Sequence, residues 1–414
     1  MAHLMRTALA CMFVLSLLAG CAPAATAPGP AAPAGPGSDD PAWLQVVEAA
    51  KKEGKLLIYG RLLDGVEGTK YADEFGKRYG ITVDFINGAG SAMFERIRNE
   101  TKSGQASADL YSGAPPWPDT FRQEKMFVPL KDKPFPLYKE PKETWRIEPW
   151  YMVEDRTYLA NEFGFLPGHI SINPKLVQPA DYPKSYQQLI TDPKYKGKLA
   201  WVNPKLTGEI AARWVTNGYV GGFWSLRDLW TLYAQQQPLL FANPTDSVAA
   251  VGRGEAAISV FAGGQNAISA VEAGTLKVLR FPDIPLVYFP NAMGVLTTAK
   301  NPNAAMVFIN WFYSKEGHEL YTSLNKTNSI RKDVASKQPD AVKAEVPGGG
   351  KIGPDFVLNG IQVQLQNDLN TAKVMNGLPE GISYDDFERG YNNFIKEWES
   401  KMGGPQKHQL PMVQ

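Results

Sequence analysis

The stretch 56–60 reads Leu-Leu-Ile-Tyr-Gly, an apolar run that ends at a glycine and is typical of a buried strand. Comparable runs occur at 81–86 and 108–111, and each is followed by residues typical of a turn. Between the first two runs, aromatic residues recur every four positions from Tyr71 to Tyr79, which predicts a helix with one buried face. Strands that alternate with helices predict a mainly parallel sheet with right-handed crossovers.

The same alternation returns later in the chain and predicts a second sheet. Apolar runs at 199–202, 257–261 and 277–281 each end at turn residues. The stretch 129–167, between the two groups, is irregular and rich in proline and aromatic residues, which favours connecting segments. We therefore predict an α/β protein in which each lobe is a mainly parallel sheet flanked by helices. Lobe 1 would comprise 43–158 and 286–350, and lobe 2 would comprise 159–285 and 351–405.

The first residues of the chain have the features of an export signal. Arg6 precedes an apolar segment from Ala8 to Leu18, and Ala19 and Gly20 then lead to Cys21. The run Leu-Ala-Gly-Cys resembles a bacterial lipobox, which implies cleavage before Cys21 and acylation of its thiol. An uncleaved membrane anchor is the alternative, but about 20 apolar residues are needed to span a bilayer and this segment is shorter. We predict a signal peptide over 1–20 and a lipidated, Pro/Ala-rich tether over 21–42.

The charge balance and the cysteine count argue against a nucleic-acid-binding surface and against a disulfide in the folded part. The chain has 43 Lys and Arg residues against 42 Asp and Glu residues, so no basic surface indicates a nucleic-acid partner. Its two cysteines are Cys11, in the predicted signal, and Cys21, at the predicted lipid site. The folded part can therefore form no disulfide, and its stability must come from packing.

Several segments resemble one protein family in their order and spacing. They are 183–200, Gly252–Ile258 (GRGEAAI), Asn291–Leu296 (NAMGVL) and 301–317, which ends in SKEG. They resemble the bacterial extracellular solute-binding proteins of ABC importers. The subgroup they are most similar to contains ferric-ion-binding proteins and their polyamine, thiamine and phosphonate relatives.

The resemblance implies a type II periplasmic binding protein fold, in which two lobes close on a ligand by a hinge motion. It implies that the chain is a binding protein and no enzyme, and that it works without a cofactor. The expected partners are a small-molecule solute and a membrane permease. The expected form is a monomeric lipoprotein at the extracytoplasmic or periplasmic face of a membrane.

The turns after the strands are the predicted ligand site, because the crevice of a parallel sheet lies beyond the carboxyl ends of its strands. Arg61 follows the first strand directly, where its guanidinium could hold a carboxylate or phosphonate in bidentate fashion. Ser91 and Thr207 stand at predicted helix starts, where backbone N–H groups and the helix dipole favour anions. The other candidates at corresponding turns or near a crossing between the lobes are Ser112, Trp117, Asn203, Gly263, Gln265 and Asn291.

Each of these residues also has a purely structural interpretation. Arg61 is compatible with a surface salt bridge, Ser91 and Thr207 with plain N-caps, and Trp117 with packing. Asn301 followed by Pro302 similarly predicts only the N-cap and first residue of a helix.

The identity of the solute stays open at this point. Ferric-ion binders of the subgroup carry two adjacent tyrosines as hard oxygen donors, and no Tyr-Tyr pair occurs in this chain. The separated pairs Tyr151 and Tyr158, or Tyr219 and Tyr233, could in principle converge on a metal. The histidines have no metal-ligand spacing. We therefore predict no metal site and favour an organic or anionic solute, with a ferric-ion receptor as the alternative.

Two functions from other classes must be weighed. An exported hydrolase would need an activated nucleophile or paired carboxylates, and the chain contains neither G-x-S-x-G nor H-E-x-x-H. A sensory protein that presents its bound ligand to a membrane receptor would use the same cleft as an importer subunit. The residues do not separate these last two functions.

Overall fold

The computed structural model describes the chain with internal gaps. The described residues are 38–60, 62–63, 65–88, 90–113, 117–146, 148–150, 153, 155–166, 169–202, 226–242, 244–260, 267–281, 287–327, 329–335, 337, 356–357, 385 and 389. The predicted signal peptide and the predicted lipid site Cys21 lie outside them. Within these ranges, no helix has both the length and the apolar character needed to cross a membrane.

Helices and strands alternate along the described chain as the sequence predicts. The helices are α1 Pro41–Glu53, α2 Gly65–Tyr79, α3 Gly90–Lys102, α4 Trp117–Gln123, α5 Tyr186–Thr191, α6 Leu226–Ala234, α7 Pro244–Arg253, α8 Ile268–Glu272, α9 Pro302–Tyr313 and α10 Lys315–Asn325. The strands are β1 Lys55–Gly60, β2 Thr82–Asn87, β3 Leu110–Gly113, β4 Leu159–Leu166, β5 His169–Ile172, β6 Leu199–Val202, β7 Leu239–Phe241, β8 Ile258–Ser259, β9 Lys277–Arg280, β10 Val287–Val295 and β11 Phe356–Val357.

The strands form two mixed sheets. The first has the order β11-β10-β3-β1-β2, with β4 also paired to β10, and the second has the order β7-β6-β8-β5-β9. The pairs β1–β2, β1–β3, β6–β7 and β6–β8 are parallel. Antiparallel pairs join β10 to β3 and β4, and β5 to β8 and β9. This confirms the predicted α/β class, and it adds antiparallel strands to the parallel pairs in each sheet.

Two long strands connect the sheets and pair with each other. β4 leads into β5 of the second sheet, and β10 follows β9 of that sheet. They run antiparallel, from Leu159 opposite Met293 to Leu166 opposite Val287, with a bulge between Asn291 and Ala292. The chain therefore passes between the sheets along one hydrogen-bonded ribbon.

Two strands that begin at or after the predicted lobe boundaries at 159 and 351 pair with the first sheet. They are β4 and β11, and both pair with β10. These pairings join segments far apart in the sequence, which apolar runs alone do not reveal. The lobe boundaries themselves stay predictions.

The core of the first sheet explains the aromatic repeat in α2. Tyr71 and Phe75 are fully buried, and Tyr71 lies 4.5 Å from Trp311 of α9 between ring centroids. Phe75 packs at 5.3 Å from both Trp311 and Phe308. The predicted buried face of this helix is therefore confirmed, and its partner is α9.

The start of α9 differs from the expected N-cap. The helix begins at Pro302 as predicted, but the Asn301 side chain accepts no hydrogen bond from the first turn. Its Nδ2 instead donates to Asp109 Oδ2 at 3.0 Å. The capping oxygens come from Glu53 at the end of α1, which accepts from Ala304 N at 2.7 Å and Asn303 N at 3.3 Å. A residue 250 positions away satisfies donors that a local cap was expected to satisfy.

Candidate ligand-binding site

Three strands of the first sheet end at the same level. Gly60 of β1 lies opposite Asn87 of β2 and opposite Ser112 of β3. On the far side of β3, Gly113 lies opposite Ala292 of β10. The carboxyl ends of the parallel strands therefore share one edge, as the sequence predicts, and we call this edge the carboxyl edge.

Gly60 makes this alignment possible. It has φ +121°, and a Cβ at this position would lie 1.8 Å from the carbonyl oxygen of Ser112. Any other residue would clash with β3 and would also be strained by the positive φ. The chain can leave β1 in this direction only because residue 60 is a glycine.

The loop after β1 is held to the end of β2. Gly88 N donates to Gly60 O at 3.1 Å, and Asn87 Nδ2 donates to Leu63 O at 3.0 Å. Leu62 and Leu63 are both buried, each 4% exposed, and belong to the core of the first sheet. Sequence reasoning missed Asn87, although the available signal was its position as the polar residue that ends an apolar strand.

The structure places four of the predicted site residues near this edge. Ser91 is in the first turn of α3, which begins shortly after β2 ends. Ser112 is fully buried within β3. Asn291 pairs with Glu162 of β4 and precedes Ala292, which lies opposite Gly113. Trp117 begins α4 and stacks on Phe94 with ring centroids 5.1 Å apart, which is the packing role that was the alternative for this residue.

The other predicted residues lie outside the described part of the chain. They are Arg61, Asn203, Thr207, Gly263 and Gln265. Their flanking strands are described, since β6 ends at Val202 and pairs in parallel with β8, with Ala200 opposite Ser259. The carboxyl ends of β6 and β8 therefore share one edge of the second sheet.

A polar cluster fastens α3 to β1 behind the carboxyl edge. The Tyr59 hydroxyl lies 2.8 Å from Ser107 Oγ and donates to Glu100 Oε1 at 3.1 Å. Arg96 Nε donates to the same carboxylate at 2.8 Å, and its guanidinium carbon lies 4.5 Å from the centre of the Tyr59 ring. Burial opposes ionisation of Glu100, but hydrogen bonds from Arg96, Ser107 and Tyr59 outweigh it and lower its pKa. These partners are engaged with one another, so the cluster supports the position of α3.

Two of the four tyrosines considered as metal ligands can be evaluated. Tyr158 is 2% exposed, and burial raises the pKa of its hydroxyl. Tyr233 is also buried with a raised pKa, and it donates to Val202 O at 3.1 Å. Both environments disfavour the phenolate form that ferric ion requires. Tyr151 and Tyr219 lie outside the described residues, and within the described part of the chain no three His, Cys, Asp or Glu residues form a metal-binding group.

Comparison with known proteins gives a consistent picture. A family model described as bacterial extracellular solute-binding protein matches residues 70–347. An uncharacterized protein of Haemophilus influenzae is 24% identical over 309 residues, which cover 72% of this chain and 84% of that protein. The family match confirms the resemblance that the sequence segments suggested.

Two solved structures have a similar fold. Iron-bound HitA from Pseudomonas aeruginosa superimposes with a TM-score of 0.56 at 18% identity, covering 76% of this chain and 99% of HitA. The periplasmic binding protein AfuA from Actinobacillus pleuropneumoniae, with bound fructose-6-phosphate, gives a TM-score of 0.55 at 16% identity. That alignment covers 83% of this chain and 98% of AfuA. At these identities the likeness establishes the fold.

Proposed function

Because this chain belongs to the family of bacterial extracellular solute-binding proteins, we propose that it captures a small organic or anionic solute and delivers it to the permease of an ABC importer. The observation that carries this proposal is the carboxyl edge, where Gly60 and Asn87 end β1 and β2 at the level of Ser112, the last residue but one of β3. Ligands of α/β sheets bind beyond such strand ends. The turns that follow β6 and β8 would supply the opposing contacts.

The paired strands β4 and β10 suit a hinge between two binding surfaces. Residues 292–295 of β10 pair with β3, and 292–293 pair with β4 as well. Residues 287–291 pair with β4 and, at Val287 and Tyr288, also with β11. A solute that contacts both lobes favours the closed state, because it binds that state more tightly than the open one. Closure about the ribbon would then present the loaded form to the permease.

An anionic solute is favoured by the chemistry proposed for this edge. Arg61 would supply a charged, planar donor directly after β1, and the start of α3 would add backbone N–H groups. HitA holds iron and AfuA holds a sugar phosphate on the same fold, so the fold itself does not select between them. The buried surroundings of Tyr158 and Tyr233 give no support to a ferric-ion receptor.

The proposed location follows from the leader. Cys21 would carry the lipid, residues 22–42 would act as a tether, and the folded part would stand at the extracytoplasmic face as a monomer. A sensory protein of the same fold is the alternative, and it would hand its bound form to a membrane receptor.

Native mass spectrometry of the purified protein tests the proposal most directly. We expect a bound small organic or anionic molecule at one per chain, and uptake of that molecule by cells should depend on this chain. If the purified protein binds the molecule but cells that lack the protein still take it up at the normal rate, the sensory alternative is favoured. Ferric citrate added to the apo protein should give no phenolate-to-iron absorption band, and a saturable visible band at one equivalent would establish the ferric receptor instead.

A further inference from the structure

An ion pair joins the lobe of the first sheet to the lobe of the second sheet. Lys326 directly follows α10, and its ammonium contacts the carboxylate of Glu272, the last residue of α8. The two residues lie 54 positions apart in the sequence. Both side chains remain partly open to solvent, Lys326 at 40% and Glu272 at 51%. We call this contact the interlobe ion pair.

Each partner is attached to the core of its own lobe. Tyr321 of α10 is 1% exposed and packs on Phe312 of α9 with ring centroids 4.7 Å apart, within the core of the first sheet. Ile268 of α8 is 4% exposed and shares a core cluster with Val278 of β9 in the second sheet. The distance between the two charged groups therefore depends on how the lobes are placed relative to each other.

The backbone of Lys326 has an unusual conformation for a lysine. Its φ is +48° and its ψ is +44°, in the left-handed region, and its N–H donates to Thr322 O at the end of α10. Glycine or asparagine usually occupies this position after a helix, because a Cβ is strained there. Glycine would end the helix with less strain. The contribution that only the lysine makes is its ammonium, which contacts Glu272.

We propose that the interlobe ion pair stabilises the lobe placement of this structure over placements in which Glu272 and Lys326 separate. β4 and β10 carry the chain between the sheets as one ribbon. A rotation of the lobes about this ribbon moves α8 relative to α10 and changes the distance between the carboxylate and the ammonium. The pair therefore sets part of the balance between lobe placements before any solute is bound.

The size of the effect follows from the exposure of the two side chains. An ion pair between partly exposed groups changes such an equilibrium by about 1.5- to fivefold. Dissolved salt weakens it, because the Debye length falls to about 3 Å at 1 M ionic strength. The balance between lobe placements should therefore depend on salt, and this dependence should disappear when either charge is removed.

Distance measurements between two nitroxide labels, by pulsed electron paramagnetic resonance, test the proposal without solute. Residues 22–414 contain no cysteine, so the full chain with Cys11→Ser and Cys21→Ser accepts labels only where a cysteine is introduced. Lys70→Cys places one label at an exposed position of α2, and Ala249→Cys places the other at an exposed position of α7. This doubly labelled chain is the parent for the variants.

Lys326→Gly removes the ammonium and suits the left-handed backbone, so it should unfold at a urea concentration close to that of the parent. The population with the label separation of this structure should fall about 1.5- to fivefold relative to the others. Glu272→Gln should have the same effect. Sodium chloride at 1 M should shift the parent toward these variants and leave Lys326→Gly unchanged. Combining Lys326→Glu with Glu272→Lys exchanges the charges and should restore the parent distribution.

A matched control removes an ion pair that lies within a single helix. Glu48 and Lys51 of α1 form a pair of comparable exposure, and Glu48→Gln should leave the label distances unchanged. Identical distributions in the parent, Lys326→Gly and Glu272→Gln would overturn the inference. So would an equal shift with Glu48→Gln, or a charge-exchanged chain that behaves like the single variants. None of these measurements uses a solute, so their failure would leave the proposed function standing.

Discussion

Acid should destabilise the folded protein through one buried imidazole. His318 of α10 is 0% exposed, and its Nε2 accepts from Ile330 N at 3.2 Å. Burial, together with the nearby Arg331 guanidinium, lowers the pKa of His318 to about 3. The imidazole is therefore neutral in the folded state, whereas the unfolded chain exposes an ordinary histidine with a pKa of about 6.5.

The sign and size of the effect follow from linkage. Between these two pKa values the unfolded state binds the extra proton, so the stability present above pH 6.5 is lost as the pH falls. From pH 7 to pH 5 the loss from this one group is about 1.9 kcal/mol, with an unfolded pKa of about 6.5. Burial opposes ionisation of the Asp333 carboxyl group, but its hydrogen bond to Arg331 outweighs burial and lowers its pKa. The stability that Asp333 contributes is therefore lost only at a lower pH than that of His318.

Urea unfolding followed by tryptophan fluorescence at pH 7 and pH 5 measures this loss. His318→Gln keeps an acceptor for Ile330 N and removes the titrating group. The variant should be less sensitive to pH than the wild type by about 1.9 kcal/mol, whatever its absolute stability. Titrating groups common to both proteins cancel in this difference. An identical pH dependence in the two proteins would refute the assignment of a neutral, buried His318.

Three further predictions concern the anchor, the core and the solute contact. Cys21→Ser should release the protein from the membrane fraction, and equal pelleting of variant and wild type would rule out the lipid anchor. Asp109→Asn should lower the free energy of unfolding by about 2–4 kcal/mol. The buried carboxylate accepts four hydrogen bonds, two on each oxygen, from N–H groups of Leu57, Lys300 and Asn301. An asparagine would replace one of these oxygens with an NH2 group, which cannot accept, so two N–H donors would lose their partner. Denaturant unfolding checks this against the exposed control Asp73→Asn, which should change stability little. Arg61→Ala should weaken binding of an anionic solute about tenfold or more and Arg61→Lys should restore part of it, since an ammonium lacks the planar fork; calorimetry showing unchanged affinity with normal unfolding would exclude this residue from the site.

The sequence by itself determined the individual elements of this protein. The apolar run that became β1, the aromatic repeat of α2 and the helix start at Pro302 were all predictable, because hydrophobic periodicity and helix-start chemistry act over a few residues. The order of several segments also carried the family. The carboxyl edge of the first sheet also followed from the predicted parallel strands, and the solute site at that edge stays a prediction.

Only the tertiary structure decided how distant segments meet. β4 and β11 pair with β10, Glu53 caps α9, and the Asn87 amide holds Leu63. Trp117 stacks on Phe94, where the sequence also allowed a ligand contact. Each of these contacts joins residues that lie far apart in the chain, and a local pattern contains no information about which of many compatible partners a hydrogen-bonding or aromatic group will find once the chain has folded.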